Sequence, residues 1–293
     1  MERPTTVARL DVGPVEYRLE PRGDATVVVL HGGHVRAGLA VGEEVFATSG
    51  YTVLAPSRPG YGRTPLETGG SAGGFADATR ALCEHLGIDK VAAVVGTSGG
   101  GPTAVALAAR HPDLVERLIL QSAVGLLPWP DRRTRRGAQV GFAAGTERAT
   151  WGAMHALLRV VPEVGLRWLL GGLSMLPARD VVAALRAEDR AWLLALFARM
   201  RSGRGFLNDL HATPEATAAG EVGQPTLVIA TRNDGAVPFA HAQSLVAAIR
   251  HAELVESRAD SHFIWLGSDW PAIAETIRVF LTTDPPLAPD RRR

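Results

Sequence analysis

The chain has 293 residues, 46% of them apolar, and a formal net charge of +1 at neutral pH. This length suits one large domain with an insertion, or two domains, and the near-zero charge argues against nucleic acid or an anionic membrane as a partner. The one cysteine excludes an internal disulfide and a cysteine metal cluster. Because the sequence has no signal-peptide pattern and no apolar run of transmembrane length, we expect a cytoplasmic protein.

Apolar, β-branched runs bounded by turn residues predict strands, and hydrophobic residues at helical spacing predict helices between them. The strands are expected at residues 7–12, 15–19, 25–30, 51–55, 91–95, 114–121, 225–230 and 252–257. The helices are expected at residues 37–49, 75–86, 103–109, 238–250 and 270–281. Strands that alternate with helices indicate an α/β fold, with a mostly parallel central sheet and helices on both faces. The first two strands are expected to form an antiparallel hairpin at the sheet edge.

The pattern changes in the middle of the chain, where no strand is predicted between residues 125 and 205. Apolar side chains recur there at helical spacing, Trp151 and Met154 among them. We therefore expect three segments. Residues 1–124 and 224–293 form the two parts of an α/β core, and residues 125–223 form a helical cap inserted between them.

The most informative motif directly follows the strand expected at residues 91–95. The spacing Gly96-x-Ser98-x-Gly100 places a serine at a sharp turn between a buried strand and a helix. The two glycines leave room for neighbouring backbone that a Cβ atom would meet. Such a turn presents the serine hydroxyl above the sheet, and the helix N-terminus favours negative charge that develops there. We interpret Ser98 as a nucleophile.

Three more polar residues lie just beyond predicted strand ends, where chemistry gathers in a parallel sheet. They are His31, Asp234 and His262. A serine nucleophile needs a base, and a histidine base needs a carboxylate that fixes its tautomer. Asp260 is the alternative to Asp234 as that carboxylate. A residue only two positions before His262 would have difficulty reaching the far nitrogen of the ring.

The chain order serine, aspartate, histidine resembles the α/β-hydrolase family, and the likeness extends over residues 25–281. The resemblance implies that Ser98 is the nucleophile, that Asp234 is the orienting acid and that His262 is the general base and acid. Serine at this turn argues against the haloalkane dehalogenase and epoxide hydrolase branches, which use aspartate there.

The resemblance also assigns the oxyanion hole of the family to two backbone amides, those of Gly33 and Gly99. The loop at residues 58–63 matches the family as well, except that members often carry aspartate where this chain has Ser57. The family chemistry implies no metal and no organic cofactor.

The apolar side chains of the insertion predict the kind of substrate. We expect part of the insertion to cover the site, with His34, Trp151 and Met154 as substrate-binding residues. The expected reaction is hydrolysis of an ester or related acyl compound with an apolar acyl or aryl group, through an acyl-serine intermediate. The alternatives are hydrolysis of a carbon–carbon bond in a ring-fission product, cofactor-free peroxidation, an amidase or peptidase, and a non-catalytic ligand-binding protein. A small molecule is the expected partner, and the oligomeric state is left open.

Overall fold

The computed structural model describes residues 2–130, 132–143, 145–211 and 216–283, without the side chains of Arg132, Arg133 and Ala216. The strands are β1 Thr6–Leu10, β2 Gly13–Glu20, β3 Thr26–Leu30, β4 Thr52–Pro56, β5 Ala93–Thr97, β6 Leu118–Gln121, β7 Thr226–Thr231 and β8 Ala252–Ser257. The helices are α1 Glu44–Thr48, α2 Ala72–His85, α3 Gly101–Arg110, α4 Arg132–Gly141, α5 Glu147–Val160, α6 Pro162–Gly171, α7 Ala178–Ala184, α8 Ala187–Phe197, α9 Gly205–His211, α10 Ala216–Glu221, α11 Ala240–Ala248 and α12 Trp270–Thr282. None of these helices is both long and apolar enough to span a membrane.

The described strands form one sheet in the order β1-β2-β4-β3-β5-β6-β7-β8. The pairs β1–β2 and β2–β4 are antiparallel, and every pair from β4–β3 to β7–β8 is parallel. This arrangement confirms the predicted mostly parallel sheet with a hairpin at one edge. The continuous apolar runs follow from burial of both faces, because side chains alternate between the faces of a strand.

Each face of the sheet packs against its own helices. On β3, Val28 and Leu30 belong to a core shared with α2, α3 and α11, whereas Val27 and Val29 belong to a core shared with α1 and α12. Because β3 to β8 run parallel, their carboxyl ends lie at the same end of the sheet. Residues that follow those ends are brought together there.

The helix expected at residues 37–49 is much shorter in the structure, and only Glu44–Thr48 is helical. The backbone around Ala37 bonds to other parts of the chain instead. Its N–H donates to Ser57 Oγ at 2.8 Å, and its carbonyl accepts from Arg18 Nε at 2.8 Å. These hydrogen bonds tie the segment to β2 and to the loop after β4, and they satisfy its buried backbone groups without a helix.

The strand expected at residues 114–121 is also shorter, because only Leu118–Gln121 forms the ladder. Before it, Val115 makes an isolated parallel bridge with Val91. The other predicted strands and helices lie within a few residues of the observed ones.

Helices α4 to α10 lie between β6 and β7, and we call them the helical insertion. We call the elements before α4 and after α10, with their loops, the sheet domain. Most helices of the insertion share a hydrophobic core of their own, to which Val35, Leu39 and Phe263 from the sheet domain also belong. The last helix differs, because Ala218 and Ala219 of α10 join the core beneath α3. The helical insertion is therefore packed on the sheet domain through two separate hydrophobic clusters.

Candidate active site

Ser98 lies at the junction of β5 and α3, in a short 3₁₀ turn, with a positive φ of 52°. Few residues other than glycine adopt this backbone conformation, so neighbouring packing must hold it. A Cβ atom on Gly96 would lie 2.6 Å from Ala104 Cβ, and one on Gly100 would lie 2.1 Å from Leu30 O. Both positions therefore require glycine if the turn is to pack against α3 and the end of β3.

His262 and Asp234 come from loops that follow neighbouring strands. His262 Nδ1 lies 2.7 Å from Asp234 Oδ2, and both side chains are almost completely buried. The other carboxylate oxygen, Oδ1, accepts hydrogen bonds from the backbone N–H groups of Ala236 and Val237, each at 2.8 Å. The carboxylate is thus fixed, and a neutral imidazole would carry its proton on Nδ1 and leave Nε2 as an acceptor.

Asp260, the alternative carboxylate, is exposed on the surface. Its backbone carbonyl accepts a hydrogen bond from the Ser174 hydroxyl, and within the described part of the chain its carboxylate makes no hydrogen bond to the ring of His262. The structure therefore brings Asp234, and not Asp260, to the histidine.

The segment that follows α6 is bonded to the loops carrying His262 and Asp234. The backbone N–H of His262 donates to Leu173 O at 2.8 Å, and Met175 N–H donates to Asn233 O at 2.8 Å. Ser174 forms an antiparallel bridge with Asp234. These bonds hold part of the helical insertion beside the candidate site.

The turn after β3 lies against Ser98, since a Cβ atom on Gly32 would lie 3.0 Å from Ser98 Cβ. His31 holds this turn: its Nδ1–H donates to Gly32 O at 2.9 Å, and its Nε2 accepts from the N–H of Arg58 at 3.2 Å. Burial, together with the charge of Arg58, lowers the pKa of His31 to about 3. His31 is therefore neutral and structural, and the turn places Gly33 at the edge of a cavity.

A buried ion pair that the sequence did not reveal lies behind this turn. Arg58 donates from Nη1 and Nη2 to the two carboxylate oxygens of Asp209 in α9, at 2.6 and 2.7 Å. The hydroxyl of Tyr61 donates to the same carboxylate at 2.6 Å. A Cβ atom on Gly99 would lie 3.2 Å from Asp209 Oδ2, so the pair packs directly against the residue that follows Ser98.

Ser98 and His262 both line a cavity of about 500 Å³ between the sheet domain and the helical insertion. Gly33 and His34 also lie on its wall. The apolar part of the wall includes Val35, Leu173, Met175, Leu196, Met200 and Phe206. Within the described ranges, no group of three or more His, Cys, Asp or Glu side chains could hold a metal ion.

The three predicted substrate-binding residues have different surroundings. His34 lines the cavity. Trp151 and Met154 are 4% and 8% exposed and belong to the core of the helical insertion, so the structure does not place them on the cavity wall. The helical stripe that contains them is buried against neighbouring helices. Trp151 lies one layer behind the wall, with its ring 5.4 Å from that of His34.

Residues 26–268 match a family model described as alpha/beta hydrolase fold. This chain belongs to the α/β-hydrolase family. The assignment confirms the resemblance found in the sequence, and it identifies the protein as a hydrolase. A curated relative agrees: the uncharacterized hydrolase YcgS of Bacillus subtilis is 31% identical over 285 residues, which cover 96% of this chain and 98% of that protein.

Two further comparisons describe what this α/β hydrolase is similar to. A 2-hydroxy-6-oxononadienedioate/2-hydroxy-6-oxononatrienedioate hydrolase of Klebsiella pneumoniae is 28% identical over 254 residues, covering 82% of each chain. A solved alpha/beta hydrolase fold protein from Nakamurella multipartita superposes with a TM-score of 0.80 at 25% identity, covering 95% of this chain and 99% of that one. The family model matches residues 26–268, and the superposition covers 95% of the chain.

Proposed function

We propose that this α/β hydrolase cleaves an ester or related acyl compound with an apolar acyl or aryl group, through an acyl-serine intermediate on Ser98. The contact of 2.7 Å between His262 Nδ1 and Asp234 Oδ2 carries the proposal. It orients the ring so that Nε2 is available as a base, and Ser98 lines the same cavity as that ring.

The proposed reaction uses two steps at one serine. Ser98 Oγ attacks the carbonyl carbon while His262 takes the hydroxyl proton, and Asp234 stabilises the imidazolium that forms. The backbone amides of Gly33 and Gly99 hold the oxyanion of the tetrahedral intermediate. His262 then protonates the leaving group, and afterwards activates a water molecule that hydrolyses the acyl-serine.

The substrate class follows from the cavity wall. Apolar side chains make up most of it, and the polar side chains include the uncharged His34, Thr97 and Ser174. Ligand sites of this composition bury an apolar body and orient it with a few polar groups. We propose that the helical insertion is the cap of the enzyme, since its residues Leu196 and Met200 form part of that wall.

A carbon–carbon bond hydrolase is the second candidate, because several curated relatives at 26–28% identity are named as 2-hydroxy-6-oxononadienedioate hydrolases. A dienedioate, by its name, carries two carboxylates. Burying carboxylates in an apolar cavity is costly unless each is paired with a positive charge. An uncharged acyl compound suits the described wall better, which is why the ester reaction is placed first.

The proposal is tested by kcat/KM for 4-nitrophenyl hexanoate and for a 2-hydroxy-6-oxo-dienedioate, measured in parallel. We expect turnover of the ester that is lost in Ser98→Ala and retained in Ser71→Ala, a substitution at an exposed helix cap. A large preference for the dienedioate would assign the enzyme to the second reaction. Ester turnover that survives in Ser98→Ala would overturn the proposal.

A further inference from the structure

The proposed mechanism leaves one histidine of the cavity wall without a role. His34 follows Gly33 with a positive φ of 64°, and its ring packs on that of Phe206 with centroids 4.0 Å apart. Its Nδ1 lies 2.7 Å from Ser202 Oγ in the helical insertion. The ring is therefore held on one side by an aromatic face and at one nitrogen by a hydroxyl.

The hydroxyl of Ser202 decides which nitrogen of His34 carries the proton. Ser202 is fully buried, and its Oγ also lies 2.8 Å from Trp151 Nε1, which can only donate. Among the described contacts of this hydroxyl, His34 Nδ1 is the one able to accept its hydrogen. A buried hydroxyl hydrogen without an acceptor would be costly. The hydroxyl therefore donates to Nδ1, and the neutral ring carries its hydrogen on Nε2.

Ser202, which holds the ring of His34, is itself held in place by a hydrogen bond. The backbone N–H of Ser202 donates to Glu147 Oε1 at 3.0 Å, which ties the residue to the start of α5. Burial, together with the charge of Arg58, lowers the pKa of His34 to about 3, so the ring is neutral near pH 7. The guanidinium of Arg58 is in turn paired with Asp209.

The remaining nitrogen of His34 is free for a ligand. In the described part of the chain, Nε2 has no hydrogen-bond partner, yet it is not one of the polar atoms that are completely inaccessible to solvent. The ring of His34 lines the cavity. A neutral N–H in an apolar wall binds an uncharged oxygen without the cost of burying a charge.

We propose that His34 is a specificity-determining residue whose neutral Nε2–H donates a hydrogen bond to a second, uncharged carbonyl oxygen of the substrate. This oxygen is distinct from the scissile carbonyl held near Gly33, and lies on the acyl or on the alcohol part. The inference rests on the proposed function and narrows its substrate class to acyl compounds that carry an additional ketone, ester or amide group.

The tautomer is tested first, by nitrogen-15 NMR of the histidine rings at pH 7, with the His34 signals assigned from their loss in His34→Gln. We expect Nε2 to have the shift of a protonated nitrogen and Nδ1 that of an acceptor. The reverse assignment, or a His34 ring that titrates near pH 6.5, would overturn the inference.

Ligand recognition is tested by dissociation constants in the Ser98→Ala background, where no turnover is needed. The matched ligands are 4-nitrophenyl 5-oxohexanoate against 4-nitrophenyl hexanoate, and 4-acetylphenyl hexanoate against 4-ethylphenyl hexanoate. We expect tighter binding of the oxo compound in one pair, and a loss of that preference by a few-fold to about tenfold in His34→Phe, which keeps an aromatic ring. His34→Gln, which keeps a donor, should restore part of it.

The outcomes separate this inference from the proposed function. Equal weakening of both members of each pair in His34→Phe would show a structural role only, and an unchanged preference would show that His34 does not contact the oxygen. Either result overturns the inference while leaving ester turnover by Ser98 intact. A wild-type enzyme without ester turnover would overturn the proposed function, and the binding comparison in Ser98→Ala would still decide the role of His34.

Discussion

Arg58 and Asp209 form a buried, two-pronged ion pair that joins the loop after β4 to α9 in the helical insertion, with N–O distances of 2.6 and 2.7 Å. Arg58 also donates from Nε to the carbonyl of His31 at 2.7 Å. One guanidinium thus holds both the helical insertion and the turn that lies against Ser98. Removal of its partner would leave a charge buried and uncompensated.

We therefore expect Asp209→Ala to lower the free energy of unfolding by about 3 to 5 kcal/mol, measured by urea denaturation. The matched control is the ion pair of Glu67 and Arg204, which joins the same two regions at 3.5 Å but is exposed on both sides. Glu67→Ala should change the free energy of unfolding by less than about 1 kcal/mol. Similar losses in the two variants would show that the buried Arg58–Asp209 pair matters no more for the free energy of unfolding than the exposed pair does.

The pairing of Arg58 with Asp209 could not be predicted from the sequence, whereas the candidate catalytic residues could. The position of Ser98 could be predicted because the glycine spacing of its turn is local. Asp234 and His262 could be placed because each lies in the loop that follows a strand. Asp209 lies 151 residues after Arg58 on a short helix, and no spacing rule connects them. Long-range pairing of charges depends on how the helical insertion docks, and a periodic pattern does not contain that information.

The same limit applies to the two predicted substrate-binding residues that do not line the cavity, Trp151 and Met154. Helical spacing correctly indicated that Trp151 and Met154 are buried, but not what buries them. The departure from the family pattern at Ser57, where members often carry aspartate, is another case. Ser57 donates its hydroxyl hydrogen to Glu16 on the neighbouring strand β2 at 2.8 Å, so a carboxylate 41 residues away in sequence lies beside that position.

The carboxylate of the site is tested by Asp234→Asn. We expect a loss of about 10⁴-fold in kcat, because the amide would favour the wrong tautomer of His262. Thermal unfolding should show that the fold persists. Asp260→Asn is the control, since this exposed residue offers only its backbone carbonyl to the site, and its kcat should stay close to that of the wild type. Reversed effects would make Asp260 the acid.

Stability at acid pH should depend on His31 and His34. Their pKa values of about 3 in the folded protein lie below the ordinary value of about 6.5, so the unfolded chain binds more protons between these limits. Stability is expected to fall as the pH is lowered from about 6.5 toward 3. Urea midpoints between pH 7.5 and pH 4 measure the slope, which should be shallower in His34→Gln and unchanged in His85→Gln, an exposed control. Identical slopes in all three proteins would contradict the buried neutral state of His34.

The cavity should select acyl chains by length. Each methylene buried contributes up to about 0.8 kcal/mol, a few-fold in kcat/KM, until the cavity of about 500 Å³ is full. We expect kcat/KM for 4-nitrophenyl esters to rise from acetate toward medium-length chains. A steady decline from acetate onward would show that the apolar wall does not hold the acyl group.

A comparison of two equally buried methionines tests which side chains contact the acyl group. Met200 lines the cavity and Met154 does not, although each is 8% exposed. Met200→Ala should shift the preferred acyl chain to a greater length, whereas Met154→Ala should leave the preference unchanged. Both truncations should cost about 2 to 5 kcal/mol of stability, so a shift in chain length is not explained by destabilisation. A shift in the Met154 variant alone would place the acyl group elsewhere.

The central claim, that Ser98 is the activated nucleophile, is tested most directly with a fluorophosphonate, which phosphonylates an activated serine with loss of fluoride. The adduct is located by mass spectrometry of the peptides. We expect one adduct per chain, on Ser98, at a rate that falls strongly in Asp234→Asn, and no adduct in Ser98→Ala. Labelling of another residue in the wild type, or full labelling of Ser98→Ala, would contradict it.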